Sequence, residues 1–339
     1  MSLVMSCLAA LCHSGAVSAA PPAQHLAPEP MLDAPLPAEP AAQPLAAPGL
    51  AHAPVDDASA LGADGVRIGR VELLKGGKLL LTNGVTTIEG ASGGGIASFA
   101  TIAGRQMTGG IGVSAHATAI ELPDFGWRSF GVAAGFGDRL ELSYARADFD
   151  TRDAGAALGL GRGYTFSQDV FAAKLRLTGD LVYGPNWLPQ IAVGVQHKRS
   201  PNGAVLAVLG AAEAAGTDYT LTASKLLLGQ SLLVNAGLRY TKANEAGLLG
   251  FGRAGAGGAG YRLQFEGSVG YQLSRRAVIG AEYRTKPDNL GLGEDDWFDL
   301  FAAYALTRNL TVTAAYVDLG SIATFTGQRG GFVSAQVAF

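Results

Sequence analysis

The sequence predicts an all-β fold, a transmembrane antiparallel up-and-down β-barrel. The composition is apolar but not helical: 48% of the 339 residues are hydrophobic, only 16% are charged, and 48 are glycine. Past the N-terminus no apolar run reaches the roughly 18 residues that a membrane-spanning helix needs. From about residue 78 to the end, apolar and polar residues alternate instead. Together these features favour membrane-spanning strands.

The longest alternation covers residues 261–273. Its apolar face consists of Tyr261, Leu263, Phe265, Val269, Tyr271 and Leu273, and its polar face of Arg262, Gln264, Glu266, Ser268 and Gln272. A strand that crosses a bilayer directs one face to lipid and the other to the lumen. Similar alternation in 169–178, 231–241 and 277–286 predicts further strands of this kind.

Short turns alternate with long glycine-rich loops, as in bacterial outer-membrane barrels whose short turns face the periplasm. Short turns are expected at 137–139, 229–231, 274–276 and 307–309, and long loops at 150–167, 199–217, 244–259, 287–296 and 320–329. Strands counted back from the C-terminus number thirteen, including one at 95–104. Because single-chain bacterial barrels have even strand numbers, 78–89 is added as another. The expectation is about 14 strands, with 12 or 16 as alternatives.

The N-terminal region divides into two segments ahead of the barrel, which is assigned to 63–339. Residues 1–20 resemble a secretory signal peptide with cleavage near Ala19 or Ala20. Both cysteines, Cys7 and Cys12, lie within it, so disulfides are not expected in the mature chain. Residues 21–62 hold ten of the fifteen prolines, which predicts a disordered periplasmic tether. The expected location is the bacterial outer membrane, with the N-terminus in the periplasm.

Aromatic residues are sorted by strand end under this topology. The external ends carry Tyr144, Tyr219, Tyr240, Tyr261, Tyr283, Phe298 and Tyr316, and the periplasmic ends carry Tyr271, Tyr304 and Phe339. Two such girdles are typical of membrane interfaces. The terminal Phe339 also resembles the C-terminal signal by which the barrel-assembly machinery recognises its substrates.

Five segments are similar to a proteobacterial family known as domain of unknown function 3034. They are Leu81–Gly95 (LTNGVTTIEGASGGG), Thr241–Gly252, Glu282–Leu290, Glu294–Asp299 and Ala315–Ile322. The similarity extends over about 75–339. It implies an outer-membrane barrel and supplies no activity.

The polar face suggests a passage for small polar solutes. The candidate pore-lining and mouth residues are Lys174, Arg176, Arg239, Lys242, Arg262, Glu266, Glu282, Arg284, Lys286, Asp288, Asp295, Asp296 and Asp318. Within the span, five bases oppose two acids, so an open pore would prefer anions modestly. Two alternatives remain: salt bridges that fill a small lumen, and a closed structural or partner-binding barrel that acts through its loops and periplasmic tail.

Other functions have weaker support. The mature barrel has two histidines, and His116 shares a strand face with Ser114 about 7 Å away, which favours a polar lumen filler over a catalytic pair. An enzyme is therefore not expected, and neither is a cofactor. The acidic run 294–296 could hold Ca²⁺ or bridge lipopolysaccharide, although such runs are usually solvated loops. No basic cluster indicates nucleic acid. Residues 204–215 could form a short helix over the mouth or a plain capping loop.

Overall fold

The computed structural model describes the backbone at 72–73 and residues 77–255 and 260–339. The expected signal peptide (1–20) and tether (21–62) lie outside the described residues. Three two-residue strands come first: β1 (Glu72–Leu73), β2 (Val85–Thr86) and β3 (Ser92–Gly93). Strand β1 pairs in parallel with the first long strand at Gly110 and Ile111, whereas β2 and β3 pair with each other.

Twelve long antiparallel strands form a closed barrel. They are β4 (Gly110–Glu121), β5 (Gly126–Phe136), β6 (Leu140–Asp150), β7 (Thr165–Thr178), β8 (Gln190–Arg199), β9 (Ala215–Leu227), β10 (Leu232–Thr241), β11 (Arg262–Ser274), β12 (Ala277–Arg284), β13 (Trp297–Ala305), β14 (Leu310–Asp318) and β15 (Arg329–Ala338). Each strand pairs with its chain neighbours, and β4 pairs with both β5 and β15, so no barrel edge is left unpaired. Closure of this kind satisfies the backbone groups that lipid cannot.

The outer surface is an apolar belt. Outward residues from around the wall are strongly exposed, for example Phe130 at 54%, Val269 at 51% and Val333 at 52%. The aromatic residues sorted to the two strand ends also point outward, and Tyr240 stacks on Tyr261 with ring centroids 4.8 Å apart. Such a belt leaves large apolar area unburied unless lipid covers it, which is the surface of a membrane-embedded barrel. Among the described helices, none has the length and apolar character to cross a membrane.

The predicted strands at 78–89 and 95–104 are wrong, and the barrel has twelve strands, one of the two stated alternatives, rather than the expected fourteen. Residues 82–106 are almost all buried, on both faces of the chain. A wall strand must expose every second side chain to lipid, so a segment buried on both faces cannot belong to the wall. Counting 95–104 as a strand gives an odd total of thirteen. The rule of even strand numbers then adds 78–89, although the twelve wall strands are already an even number.

Loop lengths follow the expected alternation with two exceptions, the longer connection 179–189 at the end with the short turns and the short connection 122–125 at the opposite end. We call the barrel end with the turns at 137–139, 229–231, 274–276 and 307–309 the short-turn end, and the other the long-loop end. The long loops include two short helices, α1 (Ala154–Ala157) and α2 (Gly203–Val208). Of the two alternatives left open for 204–215, a short helix or a plain capping loop, the structure has a short helix that ends at Val208. Leu206 of α2 is buried in an apolar cluster that covers the long-loop end.

Candidate functional site

Residues 77–106, which we call the plug, fill the barrel lumen as a finger. Its two ends meet at the short-turn end, where the backbone N–H groups of Gly77 and Lys78 donate to the Arg105 carbonyl at 2.8 and 3.1 Å. Its tip is a tight turn in which the N–H of Gly90 donates to the carbonyl of Thr87 at 2.9 Å. The sequence left open whether the lumen is a solute passage or is filled, and in the structure the chain itself occupies it.

The plug tip carries Glu89, which is 2% exposed and lies among three wall cations. Arg284 of β12 places two guanidinium nitrogens 3.0 and 3.1 Å from the two carboxylate oxygens of Glu89. Arg239 of β10 is 3.1 Å from the same carboxylate, and Lys198 of β8 also donates to it. One plug residue thereby joins three strands of the wall.

Two wall carboxylates complete this tip cluster. Asp218 of β9 lies 2.7 Å from Lys198 and 3.2 Å from Arg239, and Glu266 of β11 pairs with Arg239 and with Arg284. The six groups are three cations and three anions, all nearly inaccessible to solvent. Because buried charges are tolerated only when paired and hydrogen-bonded, Glu89 is required for the balance: without it the wall retains one uncompensated positive charge.

The plug below its tip has little regular structure, so its backbone groups need partners from the wall. Glu141 accepts hydrogen bonds from the N–H groups of Ser92 and Ala103 at 3.0 and 2.7 Å, and Lys174 donates to the Ser92 carbonyl at 2.6 Å. Further bonds of this kind are Ile96 N–H to Glu282, Ser98 N–H to Glu266, Ala100 N–H to the Ser224 hydroxyl, Asn235 amide to the Ser98 carbonyl and Gln190 amide to the Ala100 carbonyl. The polar inner face thus satisfies the backbone of the plug.

Glycines allow the plug to lie this close to the wall. A Cβ added at Gly94 would overlap the Glu282 carboxylate, and one added at Gly90, which has φ +89°, would lie 2.6 Å from the Ala145 Cβ. The run Gly93–Gly95 is therefore explained by close packing of the plug backbone.

A carboxylate pair lies beside the returning arm of the plug. Glu282 and Asp299 face each other in register on β12 and β13. Glu282 accepts from the Ile96 N–H and the Ser268 hydroxyl, both at 2.8 Å. Asp299 is fully buried, and in the described part of the chain neither of its oxygens has a hydrogen-bond partner. A Cβ added at Gly95 would lie 3.4 Å from the Asp299 carboxylate oxygen Oδ2, so the plug packs directly over this pair.

The base of the plug is fixed by ion pairs at the short-turn end. Lys78 lies 2.6 Å from Asp138 and donates to the Ile102 carbonyl at 2.6 Å. Arg176 lies 2.7 Å from the same carboxylate and 3.7 Å from Asp180. This half-buried cluster connects the base of the plug to the turn at 137–139 and to β7.

A second closed cluster lies above the plug, in the long loops. Lys286 is 2.7 Å from Glu245 and 2.8 Å from Glu294, and it donates to the Ser321 carbonyl at 2.9 Å. Burial raises the pKa of Glu245 well above its ordinary value, Lys286 opposes this, and the neighbouring Glu294 adds to it. The pKa of Lys286 is also raised, because its two carboxylates outweigh its burial. Three loops are joined here by one cation.

The remaining predicted mouth residues bind loops rather than surround a passage. Lys242 lies 2.8 Å from Glu213, Asp318 lies 2.7 Å from Arg329, and Asp295 accepts from the Ser321 hydroxyl at 2.7 Å. Asp288 accepts from the N–H groups of Leu292 and Gly293, Asp296 accepts from Tyr283 and from the Lys286 N–H, and Arg262 is exposed at the end of β11. No group of three potential metal ligands occurs among the described residues.

Sequence reasoning missed the aromatic half of the lumen. At the long-loop end, the inward residues of β5, β6, β7, β13 and β15 are large and apolar. They are Trp127, Phe149, Phe166, Trp297 and Phe332. Trp127 packs edge-on against both Phe149 and Trp297, with ring centroids 5.7 and 5.8 Å apart. Their placement at alternate strand positions was the available signal, because it put aromatic residues on the predicted lumen face.

His116 and Phe339 lie in the wall. His116 is buried and its Nε2 lies 3.3 Å from the Ser129 hydroxyl, which itself donates to the Ile88 carbonyl of the plug at 2.7 Å. The Phe339 carbonyl accepts from Arg105 at 2.9 Å and from Val113 at 3.1 Å. The last residue of the chain thus links the closing seam of the barrel to the exit of the plug.

The family model described as protein of unknown function DUF3034 matches residues 82–336. The chain belongs to this family. The match begins inside the plug and extends to the last strand, so it covers the tip cluster together with all its wall partners. No curated protein shows significant similarity to the chain.

Several solved barrels are similar to this chain at low identity. A KdgM porin is 12% identical, with a TM-score of 0.43 over 67% of this chain and 99% of that one. A NanC porin is 11% identical, with a TM-score of 0.40 over 67% and 98%. Outer membrane phospholipase A from Escherichia coli is 11% identical, with a TM-score of 0.34 over 67% and 89%.

Proposed function

We propose that the protein is an outer-membrane barrel, closed at rest by its own plug, that admits small polar solutes when the plug leaves the lumen. The observation that carries this proposal is the tip cluster, in which Glu89 supplies the third negative charge to a local group of wall residues, three cations and two anions, that is otherwise unbalanced. A wall with a polar inner face suits water once the plug is gone, whereas a permanently filled lumen could be apolar throughout.

The path of the plug supports a reversible closure. Both of its ends lie at the short-turn end, so the finger can withdraw as a unit without threading between strands. If the short turns face the periplasm, as they do in bacterial barrels generally, the plug enters from the periplasmic side. That orientation also places the expected N-terminal tether in the periplasm, where a partner could pull on it.

The described charges revise the expected ion preference. With the plug withdrawn, the inward bases would be Lys174, Arg176, Lys198, Arg239 and Arg284, and the inward acids Glu141, Asp218, Glu266, Glu282 and Asp299. The count of five bases against two acids, made from the sequence, differs from this one. It left out Lys198, Glu141, Asp218 and Asp299, and it included Arg262, which is exposed at the end of β11. We therefore expect weak selectivity overall, with anions favoured only near the former position of Glu89.

A closed barrel that acts through its loops remains the second candidate. The aromatic interior at the long-loop end favours it, because Trp127 and Trp297 pack there as a hydrophobic core would. In that case the plug is a permanent core element.

Planar-bilayer conductance of a reversibly locked plug separates the two candidates. The Ala100 N–H lies 2.8 Å from the Ser224 hydroxyl, so A100C together with S224C would join plug and wall by a disulfide, in a mature chain expected to lack other cysteines. We expect the intact protein to be mostly silent with brief openings, the oxidised double variant to be silent, and reductant to restore the openings. Each single-cysteine variant is the control. Steady conductance through the locked barrel would exclude the plug as a gate, and silence of every form, E89Q included, would favour the closed barrel.

A further inference from the structure

An apolar cavity of about 90 Å³ lies at the long-loop end, apart from the tip cluster. Nine of its eleven lining residues are apolar, among them Phe149, Leu209 and Leu290. The hydroxyl of Thr151, one of the two threonines, is already committed to the Tyr164 carbonyl at 2.7 Å. Because a water molecule needs two to four polar partners, a cavity of this chemistry favours a hydrocarbon group over water.

The cavity forms where all six connections of the long-loop end meet, and it borders the loop surface because Leu158, Leu209 and Leu290 in its lining are only half-buried. Its lining residues include Leu158 beside α1, Leu209 beside α2, Leu249 and Leu290. The loop between β14 and β15 contributes Ala323 and Thr324, which have φ +49° and φ +76°. Consecutive residues other than glycine in this region are strained, and such strain is concentrated at functional sites such as ligand clamps.

A cation lies beside one of the loops that line the cavity. The Arg253 guanidinium is 3.7 Å from the position that a Cβ at Gly291 would occupy, and Gly291 lies between the lining residues Leu290 and Leu292. Arg253 is exposed, so its charge is available at the surface where an entering chain would leave its polar end. An apolar cavity with a cation beside one of its lining loops is complementary to an anionic amphiphile.

We propose that this cavity receives the alkyl end of a free, single-chain fatty carboxylate, whose carboxylate lies beside Arg253. The volume suits the last few carbons of the chain, and the loop surface between the cavity and Arg253 carries the rest. This site does not depend on movement of the plug, because all its lining residues belong to wall ends and loops.

Tryptophan quenching by 11-bromoundecanoic acid tests the site in protein reconstituted into lipid nanodiscs. Trp127 packs against Phe149, and Phe149 lines the cavity. A terminal bromine bound in the cavity is therefore separated from the Trp127 indole only by the Phe149 ring. The background is W187F, because Trp187 is 79% exposed at the short-turn end and would respond to probe elsewhere. We expect saturable quenching.

Two variants and one control define the outcome. L209F together with L290F fills the cavity and should weaken binding about tenfold, as expected when burial of roughly two methylene groups is lost. Val208, exposed on the same helix and not lining the cavity, provides the control V208F, which should bind as the parent does. Binding of 11-bromoundecanol should be weaker than that of the acid in the parent, and R253Q should abolish the difference. Quenching that never saturates, or that is equal in the filled variant, would overturn the proposal.

Discussion

Glu89 in the plug and Arg284 in β12 are 195 residues apart in the sequence, yet they form a two-pronged ion pair inside the lumen. The geometry matches a planar guanidinium to a carboxylate, which is the strongest arrangement available to such a pair. Since Arg284 is itself packed 5.0 Å from the ring centroid of Trp297, the pair connects the charged and the aromatic sectors of the lumen.

Replacement of Glu89 by Gln should destabilise the closed state strongly. Removal of one partner from a buried ion pair costs about 3–5 kcal/mol, because the remaining cations stay buried without compensation. The measurement is the urea midpoint for loss of the protease-resistant plug in the folded barrel. Glu121→Gln is the matched control, since its pair with Arg152 is partly exposed and should contribute at most about 1 kcal/mol. Equal midpoints for the two variants would contradict the role of the tip cluster.

A methyl group at Gly94 should displace the plug. Its Cβ would overlap the Glu282 carboxylate, which holds the Ile96 N–H, so Gly94→Ala must break that contact or shift the returning arm. We expect faster cleavage of residues 77–106 by an added protease while the barrel itself stays folded. Gly331→Ala is the control, because a Cβ there meets no atom within 4 Å. Identical cleavage of both variants would mean that the plug is not packed against β12.

The loop cluster should respond to pH through Glu245. Its folded pKa is raised above the ordinary value of about 4.5, so its contribution to stability is complete below that pH and is lost as pH rises through the folded pKa. The raised pKa of Lys286 works in the same direction, but only above its ordinary 10.5. Hydrogen exchange of residues 244–252 should therefore become faster, relative to the intrinsic rate, as pH rises from about 4.5.

Glu245→Gln should remove that dependence, because the amide still accepts from Lys286 and no longer titrates. Glu213→Gln is the control, since the Glu213 side chain is 54% exposed in its pair with Lys242 and its replacement should leave the profile unchanged. A pH profile that persists in Glu245→Gln would assign the titration to another group.

Both the backbone and the ring of Phe339 are expected to contribute, to plug closure and to barrel assembly respectively. The Phe339 carbonyl accepts from Arg105 and Val113, and its N–H donates to Val113 at 2.8 Å. Deletion of Phe339 should impair both assembly and closure, whereas Phe339→Ala should impair assembly only, if its ring is the recognised signal. Heat-modifiable mobility reports assembly, and protease resistance of the plug reports closure. If the deletion variant showed normal heat-modifiable mobility and normal protease resistance of the plug, Phe339 would have no role in assembly or closure.

The wall was predictable because lipid imposes a period of two on every strand. The alternation at 261–273 placed β11 correctly, and Glu266 and Arg239 both lie on the lumen face as expected. The turns fixed the strand boundaries because short connections leave little freedom in register. The alternation of side chains and the short turns are both local sequence patterns, and each reflects a physical requirement of a membrane-spanning strand.

The plug was not predictable from the same rule, because a segment buried on all sides has no lipid face to mark it. Lys78–Glu89 still shows enough alternation to resemble a strand. What distinguishes the plug is the Gly93–Gly95 run and the small residues after it, which leave no large side chain for lipid. Its partners could not be inferred either, since Glu89 meets Lys198, Arg239 and Arg284 only after the barrel is closed.

The position of the plug at the start of the chain also constrains how the molecule folds. Glu89 precedes every wall strand, yet its partners lie on β8, β10 and β12, and the seam that encloses it joins β4 to β15. Contacts of such high sequence separation carry a large loop-closure entropy and slow the approach to the native state. The plug therefore has two routes to its position. Either it lies against the open sheet before β15 pairs with β4, or it enters the closed barrel from the short-turn end. In both cases a segment that is synthesised before every wall strand is the last to reach its final contacts.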